Sequence, residues 1–124
     1  MTVMPRILLV EDDLITQVAI QHLLKNSGCA VVVAGTGQEA FAALQTAFDL
    51  ILLDFGLPDI RGFEVAQRIR AVEGPNQHIP IIGLTALNDE SYLQRAADAG
   101  MNAVKIKPLT QAVWYELMTR HLSR

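Results

Sequence analysis

Several absences narrow the reading of this chain before any motif is considered. It has one cysteine, Cys29, so no internal disulfide can form and no second thiolate is available to a metal. A lone thiol of this kind is expected in the core. No lysine or arginine run occurs, and 10 basic against 13 acidic residues leave a formal charge of −3. That balance gives no electrostatic footprint for nucleic acid or an anionic membrane surface, so neither is an expected partner. Apolar runs are short, as in Ile7-Leu8-Leu9-Val10, and the first six residues have neither the basic flank nor the apolar block of a secretory signal. A cytoplasmic domain is expected. The three histidines, His22, His78 and His121, have no metal-pair spacing. What the chain does have is 51% hydrophobic residues in 124, enough for one core without staples, hence one domain over residues 1–124.

Strand-length apolar segments alternate with segments of helical period. Arg6–Val10, Ala30–Ala34, Leu50–Asp54, Ile81–Leu84 and Ala103–Lys107 are nearly continuous in Val, Ile, Leu and Ala, the pattern of parallel strands covered on both faces. Between and after them, Asp13–Ser27, Gly37–Ala47, Gly62–Val72, Asp89–Ala99 and Thr110–Leu122 read as helices. Asp13, Asp89 and Thr110 are candidate caps, and Gly28 and Gly100 candidate stops. The alternation predicts an α/β fold, a (βα)5 doubly wound open parallel sheet with right-handed crossovers. Residues 73–78, rich in Gly, Pro and polar side chains, read as a surface loop.

Ligands of such sheets sit beyond the carboxyl ends of the strands, so the residues at those ends matter most. The first strand runs into Glu11-Asp12-Asp13 and the third ends in Asp54, which sends carboxylates from two strands to one edge. Carboxylates crowded within about 4–6 Å repel by a few kcal/mol per pair, so the cluster calls for a cation or a proton. Mg²⁺, with few protein carboxylates, retained waters and a phosphoryl oxygen, suits that edge better than Ca²⁺. The fourth strand adds Thr85 and Ala86, and the fifth adds Lys107 and Pro108. A hydroxyl and an ammonium facing clustered acids suit phosphoryl transfer to a carboxylate nucleophile, and Asp54 is the best candidate because the adjacent pair Glu11 and Asp12 can hold the metal.

The residues that carry a family likeness are Leu8-Leu9-Val10-Glu11-Asp12-Asp13, Leu52-Leu53-Asp54 with Leu57-Pro58-Asp59 and Gly62, Leu84-Thr85-Ala86, and Lys107-Pro108. In this order at strand ends, and across the whole length, they make the chain resemble the receiver domain of two-component response regulators. Receivers of hybrid sensor histidine kinases are closest in look, through Leu57 to Phe63, Ile79 to Ala86 and Ala99 to Ala103. The resemblance implies the flavodoxin-like strand order 2-1-3-4-5, which the chemotaxis receiver illustrates. It implies that Asp54 accepts a phosphoryl group from a phosphohistidine of a histidine kinase or histidine phosphotransfer domain. It further implies that Glu11, Asp12, Asp54 and the Gly56 carbonyl hold Mg²⁺, that Thr85 and Lys107 bind the phosphoryl oxygens, that the domain switches conformation as Thr85 moves toward the phosphoryl group and biases the loop after the fourth strand, and that the Lys107–Pro108 bond is cis. The chemistry is then self-modification and not substrate turnover. About fifteen residues follow Pro108, too few for an effector domain within this chain.

Departures and rivals are part of the reading. Family members often carry Tyr or Phe three residues before the lysine as an inward-turning switch; Val104 stands there, so strong signalling through the fourth helix, fifth strand and fifth helix is not expected. Gly56 and Leu87 occupy the positions that tune phosphoryl lifetime in the family, and neither side chain can act as acid, base or amide. On the first helix, Ile15, Val18, Ala19 and His22 form a second apolar stripe beside that of Thr16, Ile20, Leu23 and Leu24, and are read as the docking patch for the phosphohistidine donor. Lys105 reads as an exposed edge charge, and Asp13 and Asp59 as cap and turn residues. Gly35-Thr36-Gly37-Gln38-Glu39-Ala40 fits a dinucleotide fingerprint, G-x-G-x-x-A, but follows the second strand and leaves the acids unexplained. A small metal-dependent phosphatase using Asp54 as transient nucleophile is the other alternative; it lacks a cap domain and an acid two residues beyond Asp54.

Overall fold

The computed structural model describes residues 4–86 and 90–122. Leu87, one of the lifetime positions, and Asp89, the expected cap of the fourth helix, lie outside the described residues. The chain alternates β1 (Arg6–Val10), α1 (Leu14–Asn26), β2 (Ala30–Ala34), α2 (Gly37–Ala43), β3 (Leu50–Asp54), α3 (Gly62–Ala71), β4 (Ile81–Thr85), α4 (Glu90–Asp98), β5 (Ala103–Ile106) and α5 (Gln111–His121). The strands form one parallel sheet in the order β2-β1-β3-β4-β5. The expected doubly wound topology is therefore present.

The near-continuous hydrophobic strands follow from a core on each face of the sheet. Successive strand residues point to opposite sides. Ile7, Leu9, Leu50, Leu52, Ile82 and Leu84 face α1 and α5, where Ile20, Leu24, Cys29, Trp114 and Leu117 are buried with them. Leu8, Val10, Ile51, Leu53 and Ile81 face the opposite layer, with Phe63, Val65, Ala66 and Ile69 of α3 and Ala96 of α4. Asp13 caps α1, its carboxylate accepting from the Thr16 N–H and hydroxyl at 2.9 and 2.6 Å, and Thr110 caps α5 by accepting from the Val113 N–H. Gly28 and Gly100 follow α1 and α4 with φ of 85° and 93°, the left-handed conformation that ends helices.

Two regions differ from the sequence reading for one reason. The second helix stops at Ala43 and not Ala47, and the loop before β4 is not wholly on the surface. Asn76, buried within that loop, donates to the Leu44 and Thr46 carbonyls at 3.1 and 2.9 Å and accepts from the Phe48 N–H at 2.8 Å. It supplies partners that a continued helix would have supplied, so α2 can end early with its polar groups satisfied. Lys105 is also not simply an edge charge: it is half-buried and ion-paired to Glu116 of α5 at 3.5 Å. Among the described residues no helix is long and apolar enough to cross a membrane.

Candidate functional site

Strand register assembles the site. Val10 pairs with Leu53, so the next residues, Glu11 and Asp54, leave the sheet side by side. Asp54 pairs with Leu84 and Thr85 with Ile106, which sets Thr85 and Lys107 just beyond at the same edge. Backbone bonds continue past the strand ends, from Glu11 N–H to the Ala34 carbonyl, Phe55 N–H to Leu84 and Lys107 N–H to Thr85, so these residues leave rigid strands and not loose loops. The Lys107–Pro108 peptide bond is cis. Gly62 closes the β3–α3 loop, its N–H donating to the Phe55 carbonyl at 3.2 Å; a Cβ there would lie 2.7 Å from the Asp54 carbonyl oxygen, a contact only glycine avoids.

Carboxylate oxygens of Glu11, Asp12 and Asp54 lie within 4.8 Å of one another. Glu11 is fully buried and Asp54 is 6% exposed, whereas Asp12 is open to solvent. The Lys107 ammonium stands 2.7 Å from Glu11 Oε1 and 3.2 Å from Asp54 Oδ1. Glu11 is further fixed by the Asp13 N–H, which donates to Oε2 at 3.0 Å, and by the Gln17 amide, which donates to its backbone carbonyl at 2.6 Å. The Gly56 N–H donates to Asp54 Oδ1 at 3.3 Å. Thr85 is buried, and with Asp54, Phe55, Gly56, Ala86, Tyr92 and Lys107 it lines a cavity of about 240 Å³ at the strand ends.

Charge at this edge of the sheet is out of balance. Burial pushes the Glu11 carboxyl above its ordinary value, against the lowering hydrogen bonds from Lys107 and the Asp13 N–H, and the nearby Asp54 charge raises it further. Burial alone would lower Lys107, but its hydrogen bond to Glu11 and the charges of Asp54 and Glu11 outweigh that and raise it. Three carboxylates and one ammonium leave −3 + 1 = −2 in formal charge. A divalent cation would neutralise that excess, and an all-oxygen donor set with one solvent-facing member fits a hard ion that keeps waters, as Mg²⁺ does.

Residues expected elsewhere fall as follows. Leu14, Ile15 and Val18 of α1 are 73, 81 and 66% exposed, and Ala19 and His22 are also exposed, while Ile20 and Leu24 are the helix's buried residues. The second stripe of α1 thus faces outward, beside the acidic edge. Val104 is half-buried, opposite Gly83 and packed against the α3 and α4 layer. The dinucleotide alternative is overturned by what occupies its helix terminus. Asp59 accepts from the Gly37 and Gln38 N–H groups at 2.8 and 3.0 Å, Glu39 accepts from the Gly35 N–H, and a Cβ at Gly37 would lie 1.9 Å from an Ile60 methyl. The amides a pyrophosphate would need are already used, and these glycines serve a capped turn. Phe55 and Tyr92 are cavity residues that sequence reasoning missed; Tyr92, Ala96 and Ala99 stand at i, i+4, i+7, a spacing that would have turned Tyr92 inward.

Comparison with known proteins agrees with this geometry. Residues 7–118 match the family described as response regulator receiver domain. Among curated relatives, hybrid signal transduction histidine kinase B of Dictyostelium discoideum is 34% identical over 95% of this chain, and the transcriptional regulatory protein AfsQ1 of Streptomyces coelicolor 37% identical over 86%. The chain spans only 7% and 46% of those proteins' own lengths. Among solved structures, the receiver domain of a sensor histidine kinase of Pseudomonas aeruginosa PAO1, with magnesium coordinated in its active site cleft, is 32% identical with a TM-score of 0.87, covering 97% of this chain and 98% of that one. The Vibrio cholerae chemotaxis protein CheY4 is 27% identical with a TM-score of 0.89, covering 96% and 99%. With the acids, hydroxyl and ammonium gathered at one sheet edge and matching family and fold across nearly its whole length, the chain belongs to the response regulator receiver domain family.

Proposed function

We propose that Asp54 is the phosphoacceptor of this receiver domain and that its donor is a phosphohistidine on a histidine kinase or histidine phosphotransfer domain. The observation that carries the reading is the Lys107 ammonium bridging Glu11 and Asp54 in a cavity that also holds Thr85. In the transfer, an Asp54 carboxylate oxygen attacks phosphorus, a P–O bond forms as the P–N bond breaks, and the electron pair returns to the imidazole nitrogen. Lys107 and Thr85 meet the charge on the transferred oxygens, and Ala86 and Pro108 shape the backbone beside them. Glu11, Asp12, Asp54 and the Gly56 carbonyl are the candidate holders of Mg²⁺, which when bound would offset the charge of the incoming phosphoryl group. Before transfer, the Lys107 ammonium and the Gly56 N–H both hold Asp54 Oδ1 and so orient the nucleophile.

The outward stripe of Ile15, Val18, Ala19 and His22 fits the donor's helical surface, being apolar, solvent-facing and beside the acid edge. Gly56 brings no side chain to the phosphoryl group, so no acid or base from that position speeds its hydrolysis. The test is incubation with acetyl phosphate and Mg²⁺ followed by intact-mass measurement. Wild type should gain one phosphoryl adduct and Asp54→Asn none. An adduct that persists in Asp54→Asn would remove Asp54 from the role.

A further inference from the structure

The proposed function leaves a cluster of aromatic rings beside the site without a role. Phe55 follows Asp54 directly, and its ring lies over β4: a Cβ at Gly83 would meet Phe55 Cε1 at 2.4 Å and Met101 Sδ at 3.0 Å. Phe63 of α3 packs 4.7 Å from the Phe55 ring centre, and Tyr92 of α4 stands edge-on to Phe55 at 5.7 Å and tilted to Phe63 at 5.9 Å. The Arg95 guanidinium lies 4.3 Å from the Phe63 ring centre.

Tyr92 is the residue of α4 that reaches the cavity of Asp54, Thr85 and Lys107, alone in that helix among the described residues. Within the helix Ala96 is buried, Leu93 is 54% exposed and its remaining described residues face solvent. Tyr92, resting on Phe55 and Phe63, and Arg95, lying over Phe63, tie the helix to the ring cluster beside the site.

We propose that Tyr92 is a positioning residue that makes the seat of α4 depend on the phosphorylation of Asp54, and this rests on the phosphoacceptor reading above. Phosphorylation replaces a monoanion by a bulkier group of nearly two negative charges in the cavity that Tyr92 helps to wall. An aromatic ring presents a negative face and a positive edge, so its preferred orientation changes with the charge beside it. Phe55 has little freedom to follow, because its N–H is bonded to Leu84, its carbonyl accepts from Gly62, and its ring fills the space over Gly83. The adjustment falls on Tyr92 and so on α4. Val104, the β5 residue paired with Gly83, is aliphatic and supplies no competing ring.

Hydrogen exchange of the α4 amides, scored on the phosphorylated fraction resolved by intact mass, tests this in the full chain with Mg²⁺ and acetyl phosphate. In wild type, phosphorylation should change α4 exchange by about threefold or more relative to Asp54→Asn. Tyr92→Phe keeps the ring and should respond as wild type does. Tyr92→Leu keeps apolar bulk and should hold its α4 exchange within about twofold between its two states. A full response in Tyr92→Leu, no response in Tyr92→Phe, or a phosphorylated wild type unchanged at α4 overturns the proposal. A wild type that forms no adduct overturns the phosphoacceptor reading itself.

Discussion

Lys107→Met tests the charge arithmetic of the site. Its ammonium lies 2.7 Å from Glu11 and 3.2 Å from Asp54. At an effective dielectric of about 20 these contacts are worth about 6 and about 5 kcal/mol of gross attraction, much of it offset by desolvation. Removing one partner leaves two buried carboxylates uncompensated, which costs about 3–5 kcal/mol; because the lysine side chain keeps 23% exposure, the low end applies. A loss of about 3 kcal/mol lowers Tm by about 10 °C in a domain of this size. Thermal melts in EDTA, followed by fluorescence of the fully buried Trp114, should show that deficit. Added Mg²⁺ should then narrow it, because the variant cluster carries a formal −3 and binds a divalent cation more tightly, raising its apparent stability more. Phosphorylation by acetyl phosphate should nevertheless slow in the variant. The pH dependence has a definite sign. Lys107, raised in the folded state, contributes below the ordinary lysine value of 10.5 and loses that contribution only as pH rises through its higher folded value. Glu11 is raised too, so folding favours its protonated form, and the variant's deficit should shrink as pH falls toward 4.5. A variant that melts within about 2 °C of wild type in EDTA, or Mg²⁺ shifts equal in both proteins, would refute the reasoning.

Asn76→Ala removes three hydrogen bonds and leaves the Phe48 N–H without its partner, so the urea midpoint should fall by an amount equal to about 2–3 kcal/mol; under about 0.5 kcal/mol would show that water replaces the amide. Asp59 lies below its ordinary value of 3.8 because the Gly37 and Gln38 N–H groups donate to it, so its contribution is present above 3.8 and lost as pH falls through the lower folded value. The Tm gap between wild type and Asp59→Asn should therefore be constant near neutrality and close in acid; a gap unchanged down to the acid limit would discount the carboxylate. Val18→Asp or Ile15→Asp should slow phosphoryl transfer from a phosphohistidine donor about tenfold, the loss of about 1.4 kcal/mol of docking, and leave transfer from acetyl phosphate within about twofold. Equal slowing from both donors would place the fault in the site and not in docking.

The strands and the chemistry at their ends were legible because both are local. Ile7 to Val10 and Leu50 to Leu53 are apolar at consecutive positions because the sheet is covered on both faces, and Glu11, Asp54, Thr85 and Lys107 each stand where such a run stops. Caps such as Asp13 and Thr110, and the outward stripe of α1, are legible for the same reason, since helical period is a property of neighbouring residues. Strand order came from likeness to a family, because alternation of elements alone does not choose it.

The tertiary structure decided which distant groups meet. That Lys107 reaches both Glu11 and Asp54, that Asn76 stops α2, that Asp59 occupies the amides of the glycine-rich turn and that Tyr92 joins the cavity all depend on register and layer packing between elements remote in the chain. Local pattern records which face a residue prefers, since that preference is a free energy of burial per residue. It carries no record of the partner on that face, because partner distance is set by the sum of all strand pairings and helix seats at once.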